Sequence, residues 1–417
     1  MRLFFITAET WPTFRADVAV LFGKYLPRLG IHSDLVAGRT PGEAEQPWGG
    51  GEAILADISG GQAKKHVRTF LHYWRALRRL DPARYDAIQV RDLPLPAALA
   101  LWTARRHGLP FYYWMSYPMP EGQIALARER GLSAGLMKFL FPWVRGRVGR
   151  FLLYRLVLPR ADHVFVQSER MKADMVARGI PAEKMTPVPM GVDLEAIEAE
   201  PVAPADDPRL AGRRVLVYLG TLDRPRRIEV LFDMLARVRR EEPAALLVLA
   251  GDTHDDVHRA WLQEQARRAG VAEHVVWTGW LPMREGWRYV RAAEVGLSPI
   301  PRGPLLDVGS PTKVPEYLAL GVPVVCNDNP DQQAIVEASG AGRCVPYTAE
   351  VFARAVVELL RLSAEKRQAM AREGARLIAE QRSYERLAEL VSRTYRSLVG
   401  FDREERAGEV IREAVKE

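Results

Sequence analysis

Short apolar runs bounded by glycine, proline or charge alternate along this chain with longer stretches whose apolar positions recur every three or four residues. The first pattern predicts buried strands and the second amphipathic helices, and their alternation predicts βα repetition around parallel sheets. In the first half, strands are predicted over residues 3–7, 33–37, 86–90, 111–115, 160–168 and 186–190, with helices over 16–29, 62–80 and 95–107. A stretch interrupted by Pro201, Pro204 and Pro208 follows, and the domain boundary is expected within 195–212. The pattern then restarts, with strands over 215–219, 245–250, 275–277, 294–298 and 322–326 and helices over 227–241, 257–269, 285–292 and 315–320. The predicted fold class is α/β, with doubly wound parallel-sheet domains over 1–200 and 201–382. Residues 383–417 close the chain with a helical apolar pattern over 384–399 and a charged stretch over 401–417, expected to be exposed or frayed.

Composition narrows the class. A chain of 417 residues exceeds one ordinary core, and a hydrophobic share of 48% supports globular packing. No apolar run reaches the roughly 18 residues of a spanning helix, and the run over 151–158 is interrupted by Arg155. The apolar start is followed at once by Glu9 and Trp11-Pro12, which fits a first buried strand rather than an export signal. Cys326 and Cys344 have neither metal-site spacing nor a disulfide framework, so a cytoplasmic protein is expected. The net charge of +7 suits an anionic partner. Nucleic acid is not expected as that partner, because the arginines scatter over many helices and no nucleic-acid-binding motif occurs.

Candidate chemistry concentrates in the second half. In Ser310-Pro-Thr312-Lys313-Val-Pro-Glu316-Tyr317, a cation and a carboxylate three residues apart open a short helix that runs through Gly321 into a buried strand. Lys313 suits phosphate and Glu316 suits vicinal hydroxyls. The same pattern also fits a capped surface helix with a solvated pair. Glycine-containing ends follow the other strands: Leu219-Gly220-Thr221, Ala250-Gly251-Asp252 and Thr278-Gly279-Trp280. Ligands of open parallel sheets bind at such carboxyl ends.

These stretches, with 161–168, Lys184 to Asp193 and 276–279, resemble in order and spacing the family 4 retaining glycosyltransferases over nearly the whole chain. The resemblance implies the GT-B fold, two Rossmann-like domains facing a cleft, with a last helix crossing back to the first domain. It implies a nucleoside diphosphate sugar on the second domain and an acceptor on the first. Glu316 matches the second acid of the family's E-x7-E motif and is expected to contact ribose hydroxyls. The first acid's place holds Val308, beside Asp307. Thr221 occupies the family's arginine place and Arg227 its lysine place. The resemblance therefore makes Arg227 the main diphosphate cation, with Arg224 and Arg226 as neighbours and Lys313 compensating at 221. Arg227, Lys313 and Glu316 are the expected catalytic set. Gly220, Thr221, Arg226, Gly279, Trp280, Ser310, Thr312 and Tyr317 are the expected donor-binding set.

On the acceptor side, Ser116 stands where relatives carry a histidine, and Glu121 follows in the same loop. Arg91 and Asp92 follow a strand directly, and Arg15 lies where relatives carry two glycines. The implied activity is retaining transfer of a sugar to a saccharide or lipid-linked acceptor in cell-surface polysaccharide or glycolipid synthesis. Neither metal nor other cofactor is expected. A non-catalytic nucleotide-sugar binder and a sugar-nucleotide epimerase of the same fold are the alternatives. The segment 127–159 mixes arginines with large apolar residues. It fits either peripheral contact with an anionic membrane at the inner face or a helix pair with snorkelling arginines.

Overall fold

Burial of both faces turns the apolar runs into parallel strands. The structure is a computed structural model. It describes residues 1–39, 46–58 and 61–414, without the side chains of residues 62–64, 134 and 401–414. Two compact units are formed, one by Met1–Pro189 with Tyr384–Glu417 and the other by Met190–Ser383.

In the first unit, β1 (Arg2–Trp11) leads to α1 (Asp17–Tyr25, continued by Leu26–Arg28), β2 (His32–Arg39), β3 (Ala53–Asp57) and α2 (Gln62–Arg78). Then come β4 (Ala87–Arg91), α3 (Pro94–Arg106), β5 (Phe111–Met115), α4 (Met119–Arg130) and α5 (Leu136–Phe151, continued through Arg160). The strands β6 (His163–Val166) and β7 (Met185–Pro187) flank α6 (Glu169–Val176). All seven strands pair in parallel in the order β3-β2-β1-β4-β5-β6-β7. The edge strand β3 escapes sequence prediction because its residues are only half covered and show no fully buried run. Residues 127–159 form much of a tight helix pair: a Cβ on Gly146 of α5 would lie 2.8 Å from the Pro120 carbonyl oxygen of α4.

The second unit holds α7 (Leu194–Glu198), β8 (Arg214–Leu219), α8 (Val230–Glu241), β9 (Ala245–Ala250), α9 (Asp256–Arg268), β10 (Val275–Trp277), α10 (Met283–Arg291) and β11 (Val295–Ser298). It continues with α11 (Lys313–Ala319), β12 (Val324–Asn327), α12 (Pro330–Ser339), β13 (Gly342–Val345), α13 (Ala349–Arg361) and α14 (Ala364–Gln381). The parallel order is β10-β9-β8-β11-β12-β13. Both sheets reverse direction beside their first strand, which places each switch point at the carboxyl ends of β1/β4 and β8/β11.

The division falls at 189/190, ahead of the proline-bearing stretch where composition places it. That stretch is bound to the second unit. Val192 N–H donates to the Arg382 carbonyl at 2.8 Å, Ala205 N–H donates to the Arg288 carbonyl at 2.9 Å, and Val202 is buried in the core. The last helix, α15 (Tyr384–Ala414), belongs to the first unit. Its Tyr384, Leu387, Val391 and Tyr395 join Phe5, Phe22, Trp114 and Phe165 in one cluster. The expectation of an exposed or frayed tail over 401–417 concerns side chains outside the described residues. No helix among the described residues is long and apolar enough to cross a membrane.

Candidate active site

Three glycines at strand ends form a backbone floor in the second unit. Gly220, Gly251 and Gly279 have φ of 136°, 143° and 72°, values that favour glycine. Gly220 N–H donates to the Ala250 carbonyl at 3.0 Å. Gly251 forms an antiparallel bridge with Gly279, and a Cβ on Gly251 would collide with the Gly220 carbonyl oxygen. The loops after β8, β9 and β10 thus meet backbone to backbone.

Lys313, the first residue of α11, lies against this floor. It is only 8% exposed, and its Nζ sits 5.0 Å from the centre of the Tyr218 ring. A Cβ on Gly220 would stand 3.1 Å from that Nζ. Among the described residues, no hydrogen bond or ion pair holds the ammonium. Burial, helped by the charge of Arg226 and opposed by that of Glu316, pushes Lys313 down to about 7. Burial pushes Glu316 up to about 7, against the pull of Lys313 and of the Thr312 hydroxyl bonded to it. Lys313 is therefore poised near neutrality, and an approaching anion would secure its proton.

Other expected donor residues are already engaged. Arg227 adopts φ 48° after the short turn Arg224–Arg226, so α8 begins three residues later than predicted. Its side chain is 69% exposed and pairs with Glu229 at 3.4 Å, while its carbonyl accepts from the Tyr347 hydroxyl. Arg226 is the cation whose charge reaches Lys313 and Tyr218, and Arg224 pairs with Asp255 at 3.1 Å. The Thr221 carbonyl accepts from the Tyr218 hydroxyl at 3.0 Å.

Ser310 accepts from Met190 N–H at 2.9 Å and donates to Asp331 at 2.6 Å. The Tyr317 hydroxyl accepts from Leu219 N–H and donates to the Leu297 carbonyl, tying β8 to β11. Both side chains tie segments of the second unit together around Lys313. Val308 is buried, and Asp307 pairs with Arg302 at 2.8 Å. Trp280 remains 48% exposed and stacks on His254, with ring centres 4.6 Å apart. His254 carries no sequence signal beyond following the Gly251 loop.

Of the expected acceptor-side residues in the first unit, Arg15 and Arg91 share Glu9, Arg91 and Ser116 share Asp92, and Glu121 joins Tyr154 and Arg178. Arg91 is buried and pairs with Asp17 at 2.8 Å, Glu9 at 3.0 Å and Asp92 at 3.3 Å. Burial opposes its charge, but Asp17, Asp92 and Glu9 outweigh burial and hold its pKa above the ordinary value. Arg91 thus braces α1 against the sheet. Ser116 gives both its N–H and its hydroxyl to Asp92, which sits at φ 56°. Glu121 lies in the first turn of α4, not in a loop, and accepts from the Tyr154 hydroxyl at 2.9 Å. Arg15 is 62% exposed beside Glu9. No group of three or more potential metal ligands occurs among the described residues.

Comparison with known proteins identifies the class. Residues 17–191 match the glycosyl transferase 4-like domain, and residues 213–362 match glycosyl transferases group 1. The chain belongs to the group 1 glycosyltransferases and is a glycosyltransferase of the GT-B fold. It is 21% identical over 298 residues to a lipopolysaccharide 1,6-galactosyltransferase of Salmonella typhimurium, covering 69% of this chain and 79% of that protein. It is 32% identical over 171 residues to a GDP-mannose-dependent alpha-(1-6)-phosphatidylinositol monomannoside mannosyltransferase of Mycolicibacterium smegmatis, covering 40% of this chain and 44% of that one. The crystal structure of Anabaena HepE in complex with UDP and glucose superposes with a TM-score of 0.63 at 15% identity, covering 95% of this chain and all of HepE.

Proposed function

We propose that the second unit binds a nucleoside diphosphate sugar at the glycine floor and that the enzyme transfers the sugar, with retention, to a saccharide or lipid-linked acceptor held by the first unit. The observation that carries this reading is the buried Lys313 ammonium against Gly220, held by no hydrogen bond or ion pair among the described residues. A diphosphate there meets Lys313 directly and Arg226 at the edge, and Gly220 lets it approach without a side chain in the way. As the bond from the sugar to the diphosphate breaks, charge grows on the leaving oxygens, where these two cations are already in place. The acceptor hydroxyl bonds to the anomeric carbon on the face the diphosphate leaves, and its proton passes to a departing phosphate oxygen. Glu316, as a carboxylate, accepts from ribose hydroxyls, and Trp280 stacked on His254 flanks the nucleoside. The reaction in this reading uses no metal.

The named activities of the relatives, on lipopolysaccharide and on a phosphatidylinositol mannoside, support a role in polysaccharide or glycolipid synthesis. Leu136, Met137 and Phe151 of α5 are 64%, 70% and 65% exposed beside Arg147 and Arg150, which supports peripheral docking on an anionic membrane from the cytoplasmic side.

The test is nucleotide release from a panel of UDP-, GDP- and ADP-sugars, with and without EDTA, by the native chain and by Lys313→Ala. One donor turned over in EDTA and slowed at least about a hundredfold in the variant is the expected result. Equal turnover by the variant would sink the assignment of Lys313, and abolition by EDTA would sink metal independence.

A further inference from the structure

The first unit has an open pocket of about 540 Å³ between α2, α4, α5 and the carboxyl ends of the sheet, within the usual range of roughly 300–1,000 Å³ for small-molecule sites. Its wall includes Tyr73, Leu93, Met119, Val144, Val148 and Leu152. Most of that wall is apolar, and two of its polar groups, Tyr73 and Asp92, are engaged, while Thr10 and Gln123 are further polar lining residues. The Tyr73 hydroxyl donates to the Thr7 carbonyl at 2.7 Å, and the Asp92 carboxylate accepts from Ser116 and Tyr117 beside Arg91. A saccharide in this space would find few partners for its many hydroxyls, whereas an aliphatic chain suits the largely apolar wall.

The rim has the opposite character. Lys65, His66 and Arg145 line it, and an Arg145 guanidinium nitrogen lies 2.7 Å from His66 Nε2. Among the described residues, neither Lys65 nor Arg145 has a carboxylate partner. Arg145 is an exposed residue overall, yet burial around its guanidinium lowers its pKa. A partly desolvated guanidinium without a counter-ion gains from a phosphate, which it can meet with two parallel hydrogen bonds.

We infer that this cavity takes the aliphatic chain of a phosphate-bearing lipid, with the phosphate at Arg145 and Lys65, so that the acceptor is an anionic amphiphile and not a free saccharide. The inference rests on the reading of the first unit as the acceptor side.

Binding alone tests it. Dodecyl phosphate, kept below its micelle concentration, is titrated into the full chain without donor. Dodecyl maltoside supplies the same chain without the charge, and inorganic phosphate supplies the charge without the chain. One dodecyl phosphate per protein is expected, held at least tenfold tighter than the maltoside, with no uptake of inorganic phosphate. Arg145→Gln should erase the preference for phosphate while maltoside still binds. Val148→Trp, at a helix position 51% exposed, should fill the cavity and weaken both amphiphiles at least tenfold.

Equal affinity for the two amphiphiles, uptake of many molecules per chain at the α5 surface, or dodecyl phosphate binding untouched by either variant overturns the inference. If Val148→Trp lowers the unfolding temperature, the Arg145→Gln comparison decides alone. Donor hydrolysis by the same preparations reports on the underlying reading. Hydrolysis without dodecyl phosphate binding overturns the cavity assignment only, whereas absence of hydrolysis with every donor overturns the transferase reading.

Discussion

Lys313 and Glu316 tie the charge state of the site to folding as well as to ligand binding. Lys313 falls from its ordinary 10.5 to about 7, so between those pH values the unfolded chain holds the extra proton and stability rises with pH. Glu316 rises from 4.5 to about 7, so between those values the folded chain holds the extra proton and stability falls as pH rises. These two groups together place a minimum of ligand-free stability near neutrality. In Lys313→Met the upper slope, about 1.4 kcal/mol per pH unit at its steepest, should vanish from urea unfolding measured between pH 8 and 10. Donor binding at pH 8 should take up a proton in the native chain and none in the variant, read by calorimetry in buffers of different ionisation enthalpy. The neighbouring arginines separate by position. Arg226→Ala should weaken donor binding about tenfold, while Arg227→Ala, whose side chain pairs with Glu229, should change it less than about threefold.

At the scale of elements, the donor floor depends on loops that touch through glycine. Gly251→Ala brings both a φ of 143° and a collision with the Gly220 carbonyl. It should destabilise the second unit by about 2 kcal/mol or more. Thermal unfolding checks this, and donor affinity should fall with it. The α5 surface makes a different demand. Met137→Asp with Phe151→Asp, both at exposed positions, should reduce cosedimentation with anionic vesicles about tenfold without lowering the unfolding temperature. Retained vesicle binding would assign these side chains no membrane role. The glycines were legible as sequence because left-handed φ is a local demand that few other residues meet. By contrast, β3 was not, because a half-covered edge strand lacks the continuous apolar run of a central one.

At the scale of the whole molecule, the last helix completes the first unit's core. Tyr384, Leu387, Val391 and Tyr395 are each no more than 3% exposed, and Tyr395 bonds to Gln89. At about 1.5–3 kcal/mol for each buried apolar side chain, these four match a typical domain stability of about 5–15 kcal/mol. Ending the chain at Ser383 should therefore remove the first unit's calorimetric transition and leave that of the second unit, residues 190–383, in place. Sequence alone determined the alternation of strands and helices, two parallel-sheet units, the glycine strand ends and the Lys313–Glu316 pair, since each is written in neighbouring residues and short periods. Tertiary structure alone decided which polar groups are spent. Arg91 meets Asp17 across 74 residues of chain, and Ser310 meets Met190 across 120, so neither pairing could be read from its neighbours. Among the described residues Lys313 stayed without a hydrogen-bond or ion-pair partner for the same physical reason: pairing and desolvation depend on distance in space, which the order of residues along the chain does not state.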